Sequence, residues 1–172
     1  MRTTKFLTVL IMAVTMLTSM TACHTSKKVT NRRYMSTLHR DLKRHIKDAD
    51  VSKTGDTVRV VYPELVMFDF DKDQVKAQAL PSMEQFANTL RDYCLVHVIV
   101  NGYTDNTGTD EVNLSLSKRR AENAKNTLET DGVGNTRIIT NGMGAANPVM
   151  TNSTPEGRRA NRRVEFVIYE GK

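Results

Sequence analysis

Hydrophobic residues recur along the chain with two periods, one typical of strands and the other of helices. Alternating or short apolar runs predict strands over residues 57–62, 65–70, 95–101, 136–141 and 164–169. Apolar spacings of three and four predict helices over residues 76–92 and 112–130, with Pro81 close to the start of the first. The order β-β-α-β-α-β-β favours an α+β sandwich, in which two main helices pack on a small mixed sheet.

The N-terminus has the features of a targeting segment. Arg2 and Lys5 precede an uncharged apolar stretch, residues 6–20, which is shorter than the roughly 20 apolar residues of a membrane-spanning helix. Small residues then lead into Cys23, which resembles a bacterial lipoprotein signal. The resemblance implies a signal peptide over residues 1–22 and acyl chains, palmitate among them, on Cys23. An ordinary secretory signal with a chance cysteine is the alternative.

Residues 23–56 are predicted to form a lipidated basic tether, followed by a domain over residues 57–172. Apolar positions at 35, 38, 42 and 46 indicate a short amphipathic helix, lying either on the domain or on a membrane surface. Residues 24–56 hold nine Lys or Arg and four Asp, whereas residues 57–172 hold fourteen basic and fifteen acidic residues. A near-neutral domain argues against a nucleic-acid partner, and a basic tether suits anionic lipid.

The cysteines and histidines predict neither a disulfide nor a metal or cofactor site. Cys94 has no partner if Cys23 is acylated, and its place before an apolar run predicts a small buried hydrophobe. The four histidines are scattered at positions 24, 39, 45 and 97. Metal ligation requires a cluster of such side chains, and none is visible in the sequence.

One stretch of the chain combines a carboxylate in a turn with a guanidinium on a helix. Asp105 lies in a Thr-Asp-Asn-Thr-Gly turn, and Arg120 follows within the helix predicted over residues 112–130. Asn113 precedes Arg120 by seven residues, so both leave the same helix face, with Ser117 between them. Taken alone, Asp105 is a turn residue and Arg120 a solvated cation; together they suit a ligand that carries an ammonium and a carboxylate.

These residues fall within motifs that resemble the OmpA-like C-terminal domain. The motifs are Phe68-Asp69-Phe70-Asp71-Lys72, Gly102-Tyr103-Thr104-Asp105-Asn106-Thr107-Gly108, Asn113-x-x-Leu116-Ser117-x-x-Arg120-Ala121 and Asn161-Arg162-Arg163-Val164-Glu165. The resemblance covers roughly residues 60–170. Together with the lipoprotein signal, it is closest to the peptidoglycan-associated lipoproteins. Tyr103 stands where many members carry histidine.

The resemblance implies peptidoglycan binding through the diaminopimelate of the stem peptide. Asp105 would accept from its ammonium, and Arg120 would hold its carboxylate in a bidentate grip. Asn113 and Thr104 would add polar contacts. The same resemblance implies that Asp69, Phe70 and Asp71 contact the ligand mainly through backbone groups. It places Arg162 at the rim of the site. Arg158 and Arg159 are expected to stay solvated.

The expected role is a non-enzymatic tether in a Gram-negative envelope. The protein would be anchored in the outer membrane with its domain facing the periplasm. Relatives of this type also join Tol-type complexes with a β-propeller partner, so an envelope protein adaptor is the alternative. A cell-wall hydrolase is a third hypothesis, but the sequence lacks a Ser-His-Asp order, and carboxylates such as Glu64 have no evident partner acid.

Overall fold

A five-stranded mixed sheet is the frame of the protein in the computed structural model, which describes residues 31–69 and 71–171. The strands are β1 (Asp50–Thr54), β2 (Thr57–Pro63), β3 (Val96–Tyr103), β4 (Ile138–Gly142) and β5 (Arg163–Glu170). The helices are α1 (Asn31–His45), α2 (Glu64–Met67), α3 (Leu80–Asp92), α4 (Asp110–Thr130) and α5 (Pro155–Asn161). Short 3-10 turns lie at Ala77–Ala79 and Asn135–Arg137.

The sheet has the order β1-β2-β5-β3-β4, which places β5 in the centre. β5 runs antiparallel to both β2 and β3, whereas β3 and β4 are parallel. Alternate residues of β3, namely Val96, Val98 and Val100, are fully buried, and those between them are half-exposed. The nearly continuous apolar run from residue 95 predicts either burial on both faces or a central position. The strand is interior in the sheet but fully covered on one face only. The predicted α+β sandwich is confirmed.

The segment predicted as a tether contributes α1 and β1 to this fold. The apolar stripe of α1, formed by Met35, Leu38 and Leu42 and continued by Ile46 directly after the helix, is no more than 2% exposed and belongs to the central core. β1 pairs antiparallel with β2 along its whole length, through a turn at Gly55 with φ +58°. Helix α1 and β1 thus belong to the folded unit, which was predicted to start at residue 57, because the stripe is buried on the domain. The predicted signal peptide and Cys23 lie outside the described residues.

This boundary also changes where the positive charge lies. Arg32, Arg33, Arg40, Lys43 and Arg44 are exposed on α1, so the basic excess is a surface feature of the folded unit. A near-neutral domain was the reason to exclude nucleic acid, and the exposed cations of α1 remove that reason. The absence of a nucleic-acid partner stays a prediction.

Three local predictions differ from the structure. Residues 65–70 were predicted as a strand, but Glu64–Met67 form the single helical turn α2, and Phe68 makes only an isolated bridge to Val75. The helical spacing predicts a core-facing stripe of Leu114, Ser117, Ala121, Ala124 and Leu128, yet Leu114 is 53% exposed, because Asn113 occupies the buried face there. Cys94 is only partly buried, since β3 begins two residues later. No helix among the described residues has the length and apolar character to cross a membrane.

Two glycines let α4 lie directly against the sheet. Gly102 on β3 and Gly142 on β4 are register partners. A Cβ atom on Gly102 would be 2.1 Å from the backbone oxygen of Ser117, and one on Gly142 would be 2.7 Å from the Cβ atom of Lys118. Real Cβ atoms do not approach so closely, so the helix position depends on the missing side chains.

Candidate functional site

A cleft of about 450 Å³ lies between the N-terminal half of α4, the loop that follows β3, and the C-terminal end of α5. Its lining combines three carboxylates, three guanidinium groups and a few neutral side chains. The lining residues are Glu64, Asp71, Thr104, Asp105, Thr107, Val112, Asn113, Leu116, Arg120, Arg158 and Arg162. Six of the eight residues predicted for the ligand site, namely Asp105, Arg120, Asn113, Thr104, Asp71 and Arg162, are therefore brought together here.

Asp105 is held in a tight turn at the end of β3. Its Oδ1 accepts from the backbone N–H of Thr107 at 2.8 Å, which is the local bond that favours aspartate in turns. Gly108 then adopts φ +90°, and Thr109 caps α4 by accepting from the N–H of Val112 at 3.3 Å. The turn points the carboxylate into the cleft with only 10% of its side chain exposed.

Arg120 lies at the inner wall of the cleft, with 2% of its side chain exposed. Its Nε donates to the carbonyl oxygen of Lys72 at 2.9 Å, and its Nη2 lies 2.5 Å from Oε1 of Glu64. That Nη2 makes no hydrogen bond of normal geometry, so the contact with Glu64 is an ion pair. The guanidinium also lies 5.3 Å from the ring centroid of Phe68. Burial of this charge is thus compensated by a carboxylate, a carbonyl and an aromatic face.

Glu64 joins the two predicted arginines. Its other carboxylate oxygen, Oε2, accepts from Nε of Arg162, whose Nη1 lies 2.7 Å from Oδ2 of Asp105. Backbone pairing fixes this arrangement, because the N–H of Glu64 donates to the carbonyl of Arg162 at 2.9 Å. Arg120, Glu64, Arg162 and Asp105 therefore form a row of alternating charges, which we call the four-charge row.

The four-charge row shifts the pKa values of its two less buried members, Asp105 and Arg162. Burial alone would raise the pKa of Asp105, but the N–H of Thr107 and the guanidinium of Arg162 outweigh it and hold that pKa below its usual value. Burial would lower the pKa of Arg162, whereas Asp105 and Glu64 raise it. Both groups are thus held in their charged forms.

Neutral polar groups complete the floor of the cleft. Thr104 is 5% exposed, and its Oγ1 has no hydrogen-bond partner among the described residues. Asn113 is equally buried and donates through Nδ2 to the carbonyl of Thr107 at 3.0 Å. Ser117, on the same helix face, accepts from the N–H of Gly144 at 2.9 Å and ties α4 to the loop after β4. The buried hydroxyl of Thr104 is therefore a polar group of the cleft that has no partner among the described residues.

The remaining site predictions are placed as follows. Asp71 lines the cleft and adopts the unusual φ of +57°. Asp69 is not among the lining residues; its carboxylate is 74% exposed and pairs with Lys76 at 3.2 Å. Phe70 lies outside the described residues. Arg162 bridges two carboxylates within the cleft, whereas the resemblance placed it at the rim.

Sequence reasoning missed two charged residues of the cleft. Glu64 was treated as an isolated carboxylate, because its arginine partners are 56 and 98 residues away and only the β2–β5 pairing brings one of them near. Arg158 was expected to be solvated, yet it is half-buried, lines the cleft and donates to the carbonyl of Asn152 at 2.8 Å. Among the described residues, no group of His, Cys, Asp and Glu is arranged to hold a metal ion.

The chain is similar to a lipoprotein and to a peptidoglycan-binding protein. It is 39% identical over 118 residues to Probable lipoprotein YiaD of Escherichia coli (strain K12), which covers 69% of this chain and 54% of that protein. It is 43% identical over 86 residues to Peptidoglycan-binding protein ArfA of Mycobacterium tuberculosis (strain ATCC 25618 / H37Rv), covering 50% of this chain and 26% of that protein. The chain thus spans about half of YiaD and about a quarter of ArfA.

A solved structure and a family profile agree with these relatives. The peptidoglycan-associated lipoprotein from Burkholderia pseudomallei superposes with a TM-score of 0.56 at 33% identity, over 60% of this chain and 87% of that one. The profile of the OmpA family matches residues 67–162, a range that is more than half of the chain and that holds all but one of the cleft's lining residues. The chain belongs to the OmpA family.

Proposed function

We propose that the cleft binds peptidoglycan non-covalently, through the diaminopimelate residue of its stem peptide. The protein would be a binding protein and not an enzyme. It would be anchored in the outer membrane through acylated Cys23, with its domain in the periplasm, and would tether that membrane to the cell wall. The names of the relatives support this proposal, since one is a peptidoglycan-binding protein and another a peptidoglycan-associated lipoprotein.

The four-charge row is the observation that carries the proposal. Diaminopimelate presents an ammonium and a carboxylate on one side-chain carbon, so its end is a zwitterion with no net charge. The row likewise offers two carboxylates and two guanidinium groups, alternating in sign within one cleft. A zwitterion can bind such a row without leaving net charge buried.

The structure refines how the ligand would be held. Asp105 and Arg120 are not an empty pair, because each already has an internal partner. The ligand ammonium would share Asp105 with Arg162, and the ligand carboxylate would share Arg120 with Glu64. The buried hydroxyl of Thr104 would donate or accept at the same place. Charges held in position before binding lose little freedom when the ligand arrives, which favours affinity.

Co-sedimentation with purified sacculi tests the proposal. Asp105→Asn keeps the shape of the side chain and removes the charge that meets the ammonium, so we expect binding to weaken about tenfold or more. Asp73→Asn is the matched control, because Asp73 also pairs with an arginine, Arg119 at 2.6 Å, but lies outside the cleft. Equal binding of the two variants would show that the cleft is not the peptidoglycan site.

A ligand comparison tests the assignment of the carboxylate. A stem peptide with lysine in place of diaminopimelate lacks the side-chain carboxylate. The guanidinium groups of the cleft would then have no ligand carboxylate to bind. We expect NMR shifts at Asp105 and Arg120 with the diaminopimelate peptide and much smaller shifts with its lysine counterpart. Contact with a Tol-type protein stays a prediction, which competition between sacculi and a copurified protein would test.

A further inference from the structure

Helix α1 carries its exposed positive charges on one face. At about 100° per residue, the side chains of Arg32, Arg33, Arg40, Lys43 and Arg44 all leave the helix within an arc of about 120°. All five are exposed, and we call them the α1 basic face. The opposite side of the helix is the buried apolar stripe.

These cations are not neutralised by the domain. In the described part of the chain, none of the five forms an ion pair with a carboxylate, whereas Arg119 and Lys125 on α4 do. The acidic residue of α1, Asp41, is engaged by the hydroxyl of Tyr93 at 2.5 Å. The α1 basic face is therefore a patch of uncompensated charge.

The patch lies close to the expected membrane anchor. Only seven residues separate Cys23 from Asn31, the first residue of α1. Even fully extended, the eight steps from Cys23 to Asn31 span at most about 29 Å. The apolar stripe of α1 is occupied by the core, so the helix cannot insert an apolar face into a bilayer. Only its charged face is available to a membrane.

We propose that the α1 basic face docks on anionic lipid headgroups of the membrane that carries the anchor. Clusters of Lys and Arg next to a membrane attachment bind anionic lipid electrostatically, within about one Debye length of the surface. The contact would hold the domain against the bilayer in one orientation, where an acyl chain alone would let it swing. No α1 residue lines the cleft, so the docking residues are distinct from those of the proposed ligand site.

Energy transfer between a dye on α1 and a labelled lipid tests the proposal on the full chain. Ser36 is exposed and lies within the same arc, so Ser36→Cys, with Cys94→Ser to remove the other described thiol, places the dye. The protein, purified from membranes, is reconstituted into phosphatidylcholine vesicles with or without phosphatidylglycerol. We expect greater transfer on the anionic vesicles, and loss of that gain as salt shortens the Debye length from about 10 Å at 0.1 M to about 3 Å at 1 M.

Two charge-reversed variants locate the effect. Lys43→Glu with Arg44→Glu should lose most of the anionic-dependent gain in transfer. Arg91→Glu with Lys118→Glu makes the same change in net charge at exposed positions on α3 and α4, and should keep the gain. If either variant folds poorly, the salt series on the chain without charge reversal still tests whether the gain in transfer is electrostatic.

Three results would overturn the proposal. Equal transfer on neutral and anionic vesicles would show that the headgroup charge does not contribute to docking. Equal loss in the two charge-reversed variants would show that only net charge matters. A dye response to a DNA duplex, but not to anionic vesicles, would assign the α1 basic face to nucleic acid.

Discussion

Replacing Glu64 with glutamine removes the carboxylate that bridges Arg120 and Arg162 while keeping the shape of the side chain. The side chain of Glu64 is 5% exposed and that of Arg120 only 2%, so water cannot solvate the charge that remains on Arg120. We expect Glu64→Gln to lower the free energy of unfolding, because a buried cation would lose its counter-charge.

The structure sets the size of this effect. Removing one partner of a buried ion pair costs about 3–5 kcal/mol. The glutamine carbonyl can still accept one hydrogen bond from a guanidinium, and the carbonyl of Lys72 still accepts from Nε of Arg120. The net loss should therefore be about 2–3 kcal/mol. With a urea m-value of about 2 kcal/mol/M, the unfolding midpoint would fall by about 1 M or more.

Urea unfolding followed by circular dichroism measures this shift, and Asp69→Asn provides the control. Asp69 is 74% exposed in its pair with Lys76, so the same carboxylate-to-amide change should cost at most about 1 kcal/mol. The double variant Glu64→Leu with Arg120→Met should be more stable than Glu64→Leu alone, since it removes the buried guanidinium that Glu64→Leu leaves without a counter-charge. If Glu64→Gln and Asp69→Asn cost the same, the reasoning about buried charge is wrong.

Three other substitutions test separate features of the structure. Because the pKa of Asp105 is lowered on folding, its charge stabilises the fold above the unfolded-state pKa of about 4, and that stability is lost as pH falls through the lower folded pKa. Asp105→Asn should therefore make the free energy of unfolding less dependent on pH below about pH 4. An unchanged pH profile would contradict this. Leu38→Ala should cost about 2–5 kcal/mol in chemical denaturation, whereas a substitution in a flexible tether would cost almost nothing. Gly102→Ala should cost about 2–3 kcal/mol, because its Cβ atom would be 2.1 Å from a backbone oxygen; a lower melting temperature would show the loss, and wild-type stability would mean that α4 is free to shift.

Much of the fold could be predicted from local periodicity. The four later strands and the two main helices have strong patterns, and the structure confirms them. β1 was missed because its five residues include an exposed Asp, Ser and Thr, and its strand character comes from pairing with β2. α1 was predicted as a helix, but whether its stripe packs on the domain or on lipid depends on tertiary contacts that periodicity does not contain.

From helical geometry alone, the site was predictable only as far as its residues share one element, whereas Asp71, Asp105 and Arg162 were assigned to it through the family resemblance. Asn113, Ser117 and Arg120 lie on one face of α4, as helical geometry indicated. The partners of Arg120 could not be deduced in this way. Glu64 reaches it from the end of β2, and its pairing with Arg162 spans 98 residues. Such contacts follow from strand order, which no local pattern specifies.

The glycine pair at Gly102 and Gly142 has a consequence for how the cleft keeps its dimensions. The helix that carries Arg120 lies on bare backbone of two adjacent strands, with Ser117 one turn before Arg120 at the closest approach. The depth of the Arg120 guanidinium in the cleft is therefore set by contacts with main-chain atoms, whose spacing does not vary with side-chain rotamers. Core substitutions elsewhere can lower the stability of the domain without changing this depth. Substituting either glycine should instead shift α4 and so change which ligands fit the cleft, even where the loss of stability is too small to unfold the protein.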